Sequence, residues 1–229
     1  LLPFPEFPLI GGYLPTSFLD WEGRVAAVLF LLGCNFRCPF CHNAPLATGL
    51  AEGIDPKPVL SDIIRRKDFL DGVVVSGGEP TLFVRLPEML SWFRSVAKLP
   101  VKLDTNGSRP DVLEALLHDR LIDAAAMDIK APWEKYAELT GVPVDTGRVR
   151  ASLDLLKSSG ISLELRTTYV PGLLSIEDLH QIQDQVGGDP RWIVQLFQPA
   201  NALDPALRET ASPRRDEISS ALQGVRVRG

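Results

Sequence analysis

Six short apolar runs, at residues 25–32, 73–76, 101–105, 124–129, 163–168 and 192–197, alternate with segments whose apolar residues recur three or four positions apart. Runs this short and this continuously apolar suit strands of a parallel sheet buried on both faces. The intervening segments, 58–70, 86–97, 111–117, 148–158 and 176–186, read as amphipathic helices. Ser175 with Asp178 forms a capping pair for the helix starting at 176, Gly160 supplies a stop for the helix before it, and 216–222 reads as a last helix. Strand followed by helix, six times over, predicts an α/β fold. Eight such units close a full barrel. Six predict a partial (βα)6 barrel, open on one side. The chain is read as one domain over 1–229, with an N-terminal extension at 1–20, the barrel core at 25–198 and a C-terminal tail at 199–229.

Composition narrows the function. With 45% hydrophobic and 23% charged residues, the 229 residues are rich enough in apolar side chains for a sizeable core. The net charge of −5 and the absence of any basic block longer than Arg65-Arg66-Lys67 argue against a nucleic-acid partner. The longest purely apolar run has eight residues, too few to span a bilayer as a helix, and the apolar, Pro-rich residues 1–12 lack the positive charge of a signal peptide. A cytoplasmic protein working without a membrane is expected. All three cysteines lie within eight positions. An odd, tightly clustered set points to metal binding rather than a disulfide scaffold.

The unusual polar and Gly-rich motifs fall just after the predicted strands. Cys34 to Cys41 follow the first, Gly77-Gly78-Glu79-Pro80 the second, and Asp104-Thr105-Asn106-Gly107 close the third. Asp128-Ile129-Lys130 closes the fourth, Arg166-Thr167-Thr168 the fifth, and Gln198-Pro199 follows the sixth. Ligands of parallel α/β folds bind at the carboxyl ends of the strands. Charge placed there is costly unless it is paired or meets a ligand. An Asp accepts from an ammonium and a Lys pairs with a carboxylate; the competing account is an internal Asp–Lys ion pair. For Arg166 the choice lies between a ligand carboxylate or ribose and an ion pair with Glu164. His118 and His180 read as surface residues, and Trp92, Trp133, Trp192 and Met127 as core or rim.

The cysteines are spaced C-x3-C-x2-C within Gly33-Cys34-Asn35-Phe36-Arg37-Cys38-Pro39-Phe40-Cys41-His42-Asn43. Thiolates suit iron–sulfur clusters and zinc. Three thiolates on a four-iron cubane leave one iron open to the amino and carboxylate groups of an amino acid. The competing account is a structural zinc held by Cys34, Cys38, Cys41 and His42. Adjacent Cys41 and His42 make tetrahedral convergence awkward.

This motif resembles the radical S-adenosylmethionine superfamily. The fuller run is similar to activating enzymes of glycyl radical proteins, and closest to the anaerobic ribonucleoside-triphosphate reductase activating proteins, over residues 9–198. Leu32 departs from the polar residue that many relatives carry before Gly33. The resemblance implies a partial TIM-like barrel of the radical SAM fold. It also implies a [4Fe-4S] cluster on Cys34, Cys38 and Cys41, and S-adenosylmethionine as the second cofactor. By the same resemblance, Gly77, Gly78 and Glu79 hold the amino group of S-adenosylmethionine. Phe40 packs near the adenine, and Asp104, Asn106, Lys130 and Arg166 belong to the cofactor site. Asp104, Thr105 and Asp128 enclose a monovalent cation, and Gln198 is a weaker substrate or ribose contact.

The implied activity is that of an anaerobic radical SAM oxidoreductase. It would cleave S-adenosylmethionine reductively to a 5′-deoxyadenosyl radical and raise a glycyl radical on a partner enzyme, with anaerobic ribonucleotide reductase first among the candidates. Flavodoxin or ferredoxin would supply the electron. Two rivals stand beside it: a radical SAM enzyme acting on a small molecule or peptide, and a zinc-stabilised binding module without catalysis. Anaerobic reconstitution with iron and sulfide separates the last from the others. A brown, oxygen-labile protein is expected, whereas a colourless, zinc-loaded one would favour the binding module.

Overall fold

The computed structural model of the protein describes residues 5–229. The first four residues of the segment read as an extension therefore lie outside the described residues. A single sheet of eight strands runs in strict chain order: β1 (Gly12–Ser17), β2 (Ala26–Leu31), β3 (Gly72–Gly77), β4 (Val101–Thr105), β5 (Ala124–Asp128), β6 (Ser162–Tyr169), β7 (Trp192–Leu196) and β8 (Arg226–Arg228). β1 is antiparallel to β2, and every later pair is parallel. β1 and β8 are the two edges, so the barrel stays open.

Helices fill the connections. α1 (Ala44–Thr48) and α2 (Pro56–Arg66) lie between β2 and β3, α3 (Leu86–Trp92) between β3 and β4, and α4 (Pro110–His118) between β4 and β5. α5 (Tyr136–Thr140) and α6 (Thr146–Ser158) precede β6, α7 (Ile176–Gln185) precedes β7, and α8 (Arg215–Ala221) precedes β8. The helix expected over 86–97 is α-helical only to Trp92 and continues as a π-helix over Phe93–Ala97. α7 starts with the expected reciprocal cap, in which the Ser175 side chain accepts from the Asp178 backbone and Asp178 from the Ser175 backbone. Gly160 takes the left-handed conformation (φ 77°) that ends the α6 region.

Strand alternation explains why the apolar runs are continuous. On β2 and β3, Ala27, Leu29, Leu31, Val73 and Val75 face the helices in the main core. Ala26, Val28 and Val74 face the barrel interior, where they pack with Trp21 and Ala124. Farther round, the inner face turns polar. Lys102, Asp104, Asp128, Glu164 and Arg166 occupy the interior positions of β4, β5 and β6, alternating with apolar residues that face the helices.

The six parallel strands β2 to β7 match the expected runs within one or two residues. Two strands were not expected. β1 lies in the segment read as an extension and carries Pro15, which an edge strand tolerates because the proline lacks a ladder donor. β8 is three residues long with the sequence Arg-Val-Arg and offers no apolar run. Arg228 forks onto Glu164 inside the barrel at 2.8 and 3.1 Å, and Arg226 reaches Glu22 in the β1–β2 connection at 3.0 Å. The pairs to Glu22, from Arg226 and from Arg228 at 3.8 Å, join β8 to the connection that follows β1, where no ladder does. Trp21, in the same connection, is 7% exposed and packs against Gly72, where an added Cβ would lie 2.6 Å from the indole. It plugs the end of the barrel opposite the strand-end motifs.

Ser175→Ala removes one half of the α7 cap. Denaturant unfolding should show a loss of about 1 kcal/mol with an unchanged m-value.

Candidate functional site

The cysteine segment is built by a close backbone approach at the ends of β2 and β3. Gly78 N donates to Leu31 O at 2.9 Å and Glu79 N to Gly33 O at 2.8 Å. A Cβ on Gly78 would sit 1.9 Å from Gly33 O, and one on Gly77 2.3 Å from Leu31 N. Gly77 also has φ of 120°, which side chains rarely adopt. Both glycines are required by packing, and both line the cavity beyond. On its other side the segment is pinned to α5. Arg37 N donates to Thr140 O at 2.7 Å, and the Arg37 guanidinium donates to Cys34 O at 2.6 Å.

Cys34, Cys38 and Cys41 all line one cavity of about 280 Å³ at the carboxyl ends of the strands. None is in a disulfide. Burial pushes the Cys38 thiol up to about 11 and raises Cys34 as well. Such thiols stay protonated at neutral pH until a metal supplies the compensating charge. Among the described residues, no three His, Cys, Asp or Glu side chains are arranged around a single ion. His42 is instead packed edge-on against Phe197, with ring centroids 5.9 Å apart. Three free cysteines lining one cavity supply the thiolate set that an iron–sulfur cluster needs.

Across the cavity lies a set of paired charges. Arg166 Nε donates to Asp128 Oδ1 at 3.0 Å and its Nη1 to Asp104 Oδ2 at 3.3 Å, while Glu164 stands farther off at 4.0 Å. Lys130 Nζ donates to Asp128 Oδ2 at 2.8 Å and lies 5.9 Å from the centroid of the Phe40 ring. Burial works against the Asp128, Lys130 and Arg166 charges. The neighbouring opposite charges outweigh it, holding the Asp128 carboxyl well below its usual range and the Lys130 and Arg166 cations above theirs. Both competing accounts from the sequence are thus present: an Asp–Lys pair, made by Asp128, and the Arg166–Glu164 pair. Neither uses up the group concerned. Asp104 Oδ1 is buried without a hydrogen-bond partner, 3.9 Å from Lys102 Nζ. Asp104, Lys130 and Arg166 line the same cavity and suit a zwitterionic amino-acid group, ammonium toward Asp104 and carboxylate toward Lys130 and Arg166.

The structure redistributes several residues singled out above. Glu79 is 1% exposed, and its carboxylate turns from the cavity. It accepts from Thr81 N (3.1 Å), Thr81 Oγ1 (2.6 Å), Thr105 Oγ1 (2.8 Å) and Asn106 N (2.7 Å). Burial pushes its carboxyl up, against the pull of those donors. Thr105 thus faces Glu79, while Asp104 and Asp128 share Arg166. The three residues read as a monovalent-cation site all line the cavity. Asn106 lines the cavity but turns its amide toward the cysteine segment. Gln198 is exposed and outside the cavity lining; Gln195 of β7 lines it instead. Thr168 of the motif closing β6 lines it, and so does Ser76, which donates to Asp104 Oδ2 at 3.1 Å and was not singled out. Ser76 faces inward on β3, next to the Gly77 motif, and that register was the available signal.

The profile of the Radical SAM superfamily matches residues 28–185 of the chain. A protein of Methanocaldococcus jannaschii named as a glycyl-radical enzyme activating enzyme is 33% identical over 216 residues, covering 92% of this chain and 88% of its own. The pyruvate formate-lyase 1-activating enzyme of Escherichia coli is 28% identical over 66% of this chain and 63% of its own. Among solved structures, SuiB of Streptococcus suis bound to the precursor peptide SuiA superposes with a TM-score of 0.61 at 17% identity, over 86% of this chain. Coproporphyrinogen III oxidase of Escherichia coli superposes with a TM-score of 0.58 at 15% identity. The chain spans about half the length of these two structures, which share its fold.

Glu79→Ala would leave the donors of Thr105 and Asn106 buried without an acceptor. A loss of about 2–4 kcal/mol in urea unfolding is expected, and a loss below about 0.5 kcal/mol would show that the strut is dispensable.

Proposed function

The chain belongs to the radical SAM superfamily, and from that membership and the site geometry we propose that it is an activase that raises a glycyl radical on a partner enzyme. Its cofactors are a [4Fe-4S] cluster and S-adenosylmethionine. In this reading Cys34, Cys38 and Cys41 hold the cluster. When bound, the two cofactors together supply reductive cleavage of the sulfonium, giving methionine and a 5′-deoxyadenosyl radical that takes a hydrogen atom from a glycine Cα.

The chain's own residues bind, orient and exclude water. Asp104 meets the ammonium of S-adenosylmethionine. Lys130 and Arg166 meet its carboxylate, and the buried Phe40 offers an apolar face toward the adenine. The charges lining the cavity, Asp20, Asp104, Asp128, Lys130 and Arg166, sum to −1, which opposes the net +1 that the sulfonium gives S-adenosylmethionine. Gly77 and Gly78 leave backbone, not side chains, against the ligand. The open edge between β1 and β8 suits a macromolecular substrate. Anaerobic ribonucleoside-triphosphate reductase is the partner proposed first, with flavodoxin or ferredoxin as electron donor and the cytoplasm as the compartment. Among the described residues no helix is long and apolar enough to cross a membrane.

The observation that carries the reading is the convergence of three free thiols and the paired charges of Asp104, Asp128, Lys130 and Arg166 on one cavity. Reduced, reconstituted protein mixed with candidate glycyl radical partners should give a glycyl signal by electron paramagnetic resonance, and Cys38→Ala should abolish both that signal and 5′-deoxyadenosine. Persistent 5′-deoxyadenosine in Cys38→Ala would overturn the cluster assignment. Turnover of a small molecule without a glycyl signal from any partner would redirect the activity to the rival substrate class.

A further inference from the structure

The three cysteine sulfurs are not equivalent. Cys34 Sγ accepts from Phe36 N at 3.3 Å and from Asn106 Nδ2 at 3.9 Å. No described residue donates to the sulfur of Cys38 or Cys41. One of the two donors is backbone; the other, Asn106, is a side chain contributed from the end of β4, seventy-two positions away in sequence.

Asn106 is held from every side. Its backbone N donates to Glu79 Oε2 at 2.7 Å, and its Oδ1 accepts from Ser108 N at 2.9 Å. That second bond fixes which way the amide points, so Nδ2 must face the cysteine segment. There it donates to Asn35 Oδ1 at 2.9 Å, and Asn35 in turn donates to Ser108 Oγ at 2.9 Å. Asn106 is 5% exposed and Glu79 1%. A donor so immobilised keeps its dipole aimed at one sulfur whatever the charge on that sulfur.

We propose that Asn106, clamped by Glu79, Ser108 and Asn35, is a positioning residue that tunes the cluster through Cys34, holding its reduction potential up by an N–H···S hydrogen bond. The proposal rests on the reading that the three cysteines hold the cluster. The physical reason is that a reduced cluster carries more negative charge than an oxidised one. A fixed donor at a ligand sulfur therefore stabilises the reduced form more, and hydrogen bonds to the sulfurs are among the levers that set cluster potentials. The role differs from a ligand contact, because the amide is already committed to Asn35 and Cys34.

The test is a potentiometric titration of the full chain with reconstituted cluster, followed by the paramagnetic signal of the reduced state, in the wild type and in Asn106→Ala, Asn106→Asp and Asn35→Ala. Asn106→Ala deletes the donor, and its reduction equilibrium should weaken about three- to tenfold, the latter ~59 mV for one electron. Asn106→Asp replaces the donor with a carboxylate and should shift further in the same direction. Asn35→Ala loosens the clamp but keeps the Cys34 donor, so its shift should be smaller than that of Asn106→Ala. An unchanged potential in a fully loaded Asn106 variant overturns the proposal, as does a shift in Asn35→Ala as large as in Asn106→Ala. If neither Asn106 variant takes up a cluster, the residue builds the site and does not tune it, and the proposal again fails. Failure of the wild type to bind iron and sulfide would instead sink the cluster assignment itself.

Discussion

The site depends on one buried carboxylate. Glu79 binds the turn after β3 through Thr81, the end of β4 through Thr105 and Asn106, and, through its own backbone N–H, the carbonyl of Gly33 immediately before Cys34. Two strand ends and the cysteine segment are thereby fixed to a single group that is 1% exposed. Desolvating a carboxylate is expensive, and only a full set of donors offsets it. Such a group is a demanding strut: it tolerates one arrangement of its neighbours and penalises the rest.

A second constraint runs through the barrel interior. The inner faces of β2 and β3 are small and apolar, and Trp21 fills the space they leave. The inner faces of β4, β5 and β6 carry charges linked in sequence, from Arg228 to Glu164, on to Arg166, then to Asp104 and Asp128, and finally to Lys130. Only the upper end of this chain meets the cavity. The lower end, with Arg226, Arg228 and Glu22, ties β8 to the connection that follows β1. The same electrostatic network thus shapes the open barrel and presents a dipolar face to a ligand.

Most of the parallel core could be read without coordinates. Strands buried on both faces must be continuously apolar, and that made β2 to β7 visible. β1 and β8 escaped notice for the converse reason. One is an edge strand with a proline, the other three residues long and held by arginine ion pairs, so neither carries the signature of a doubly buried strand. The cavity was legible where a motif combined unusual chemistry with a strand end, as at Cys34, Cys38, Cys41, Asp104, Lys130 and Arg166. Ser76 and Gln195 were not, because a hydroxyl or an amide on a strand says nothing of which way it faces. Gln198 was taken for Gln195, three positions earlier, because only the register of β7 distinguishes them.

By itself the sequence determined the repeating strand–helix order, the clustering of thiols on one loop and the gathering of charge at the strand ends. These follow from local chemistry, since burial dictates apolar runs and soft metals require neighbouring sulfurs. Only the tertiary structure decided that the Glu79 carboxylate is a strut between strand ends, that Thr105 turns from Asp104, and that Asn106 donates to one cysteine alone. Adjacent residues on a strand point to opposite faces, and the partners lie tens of positions apart in sequence. No local pattern records which distant group each one meets.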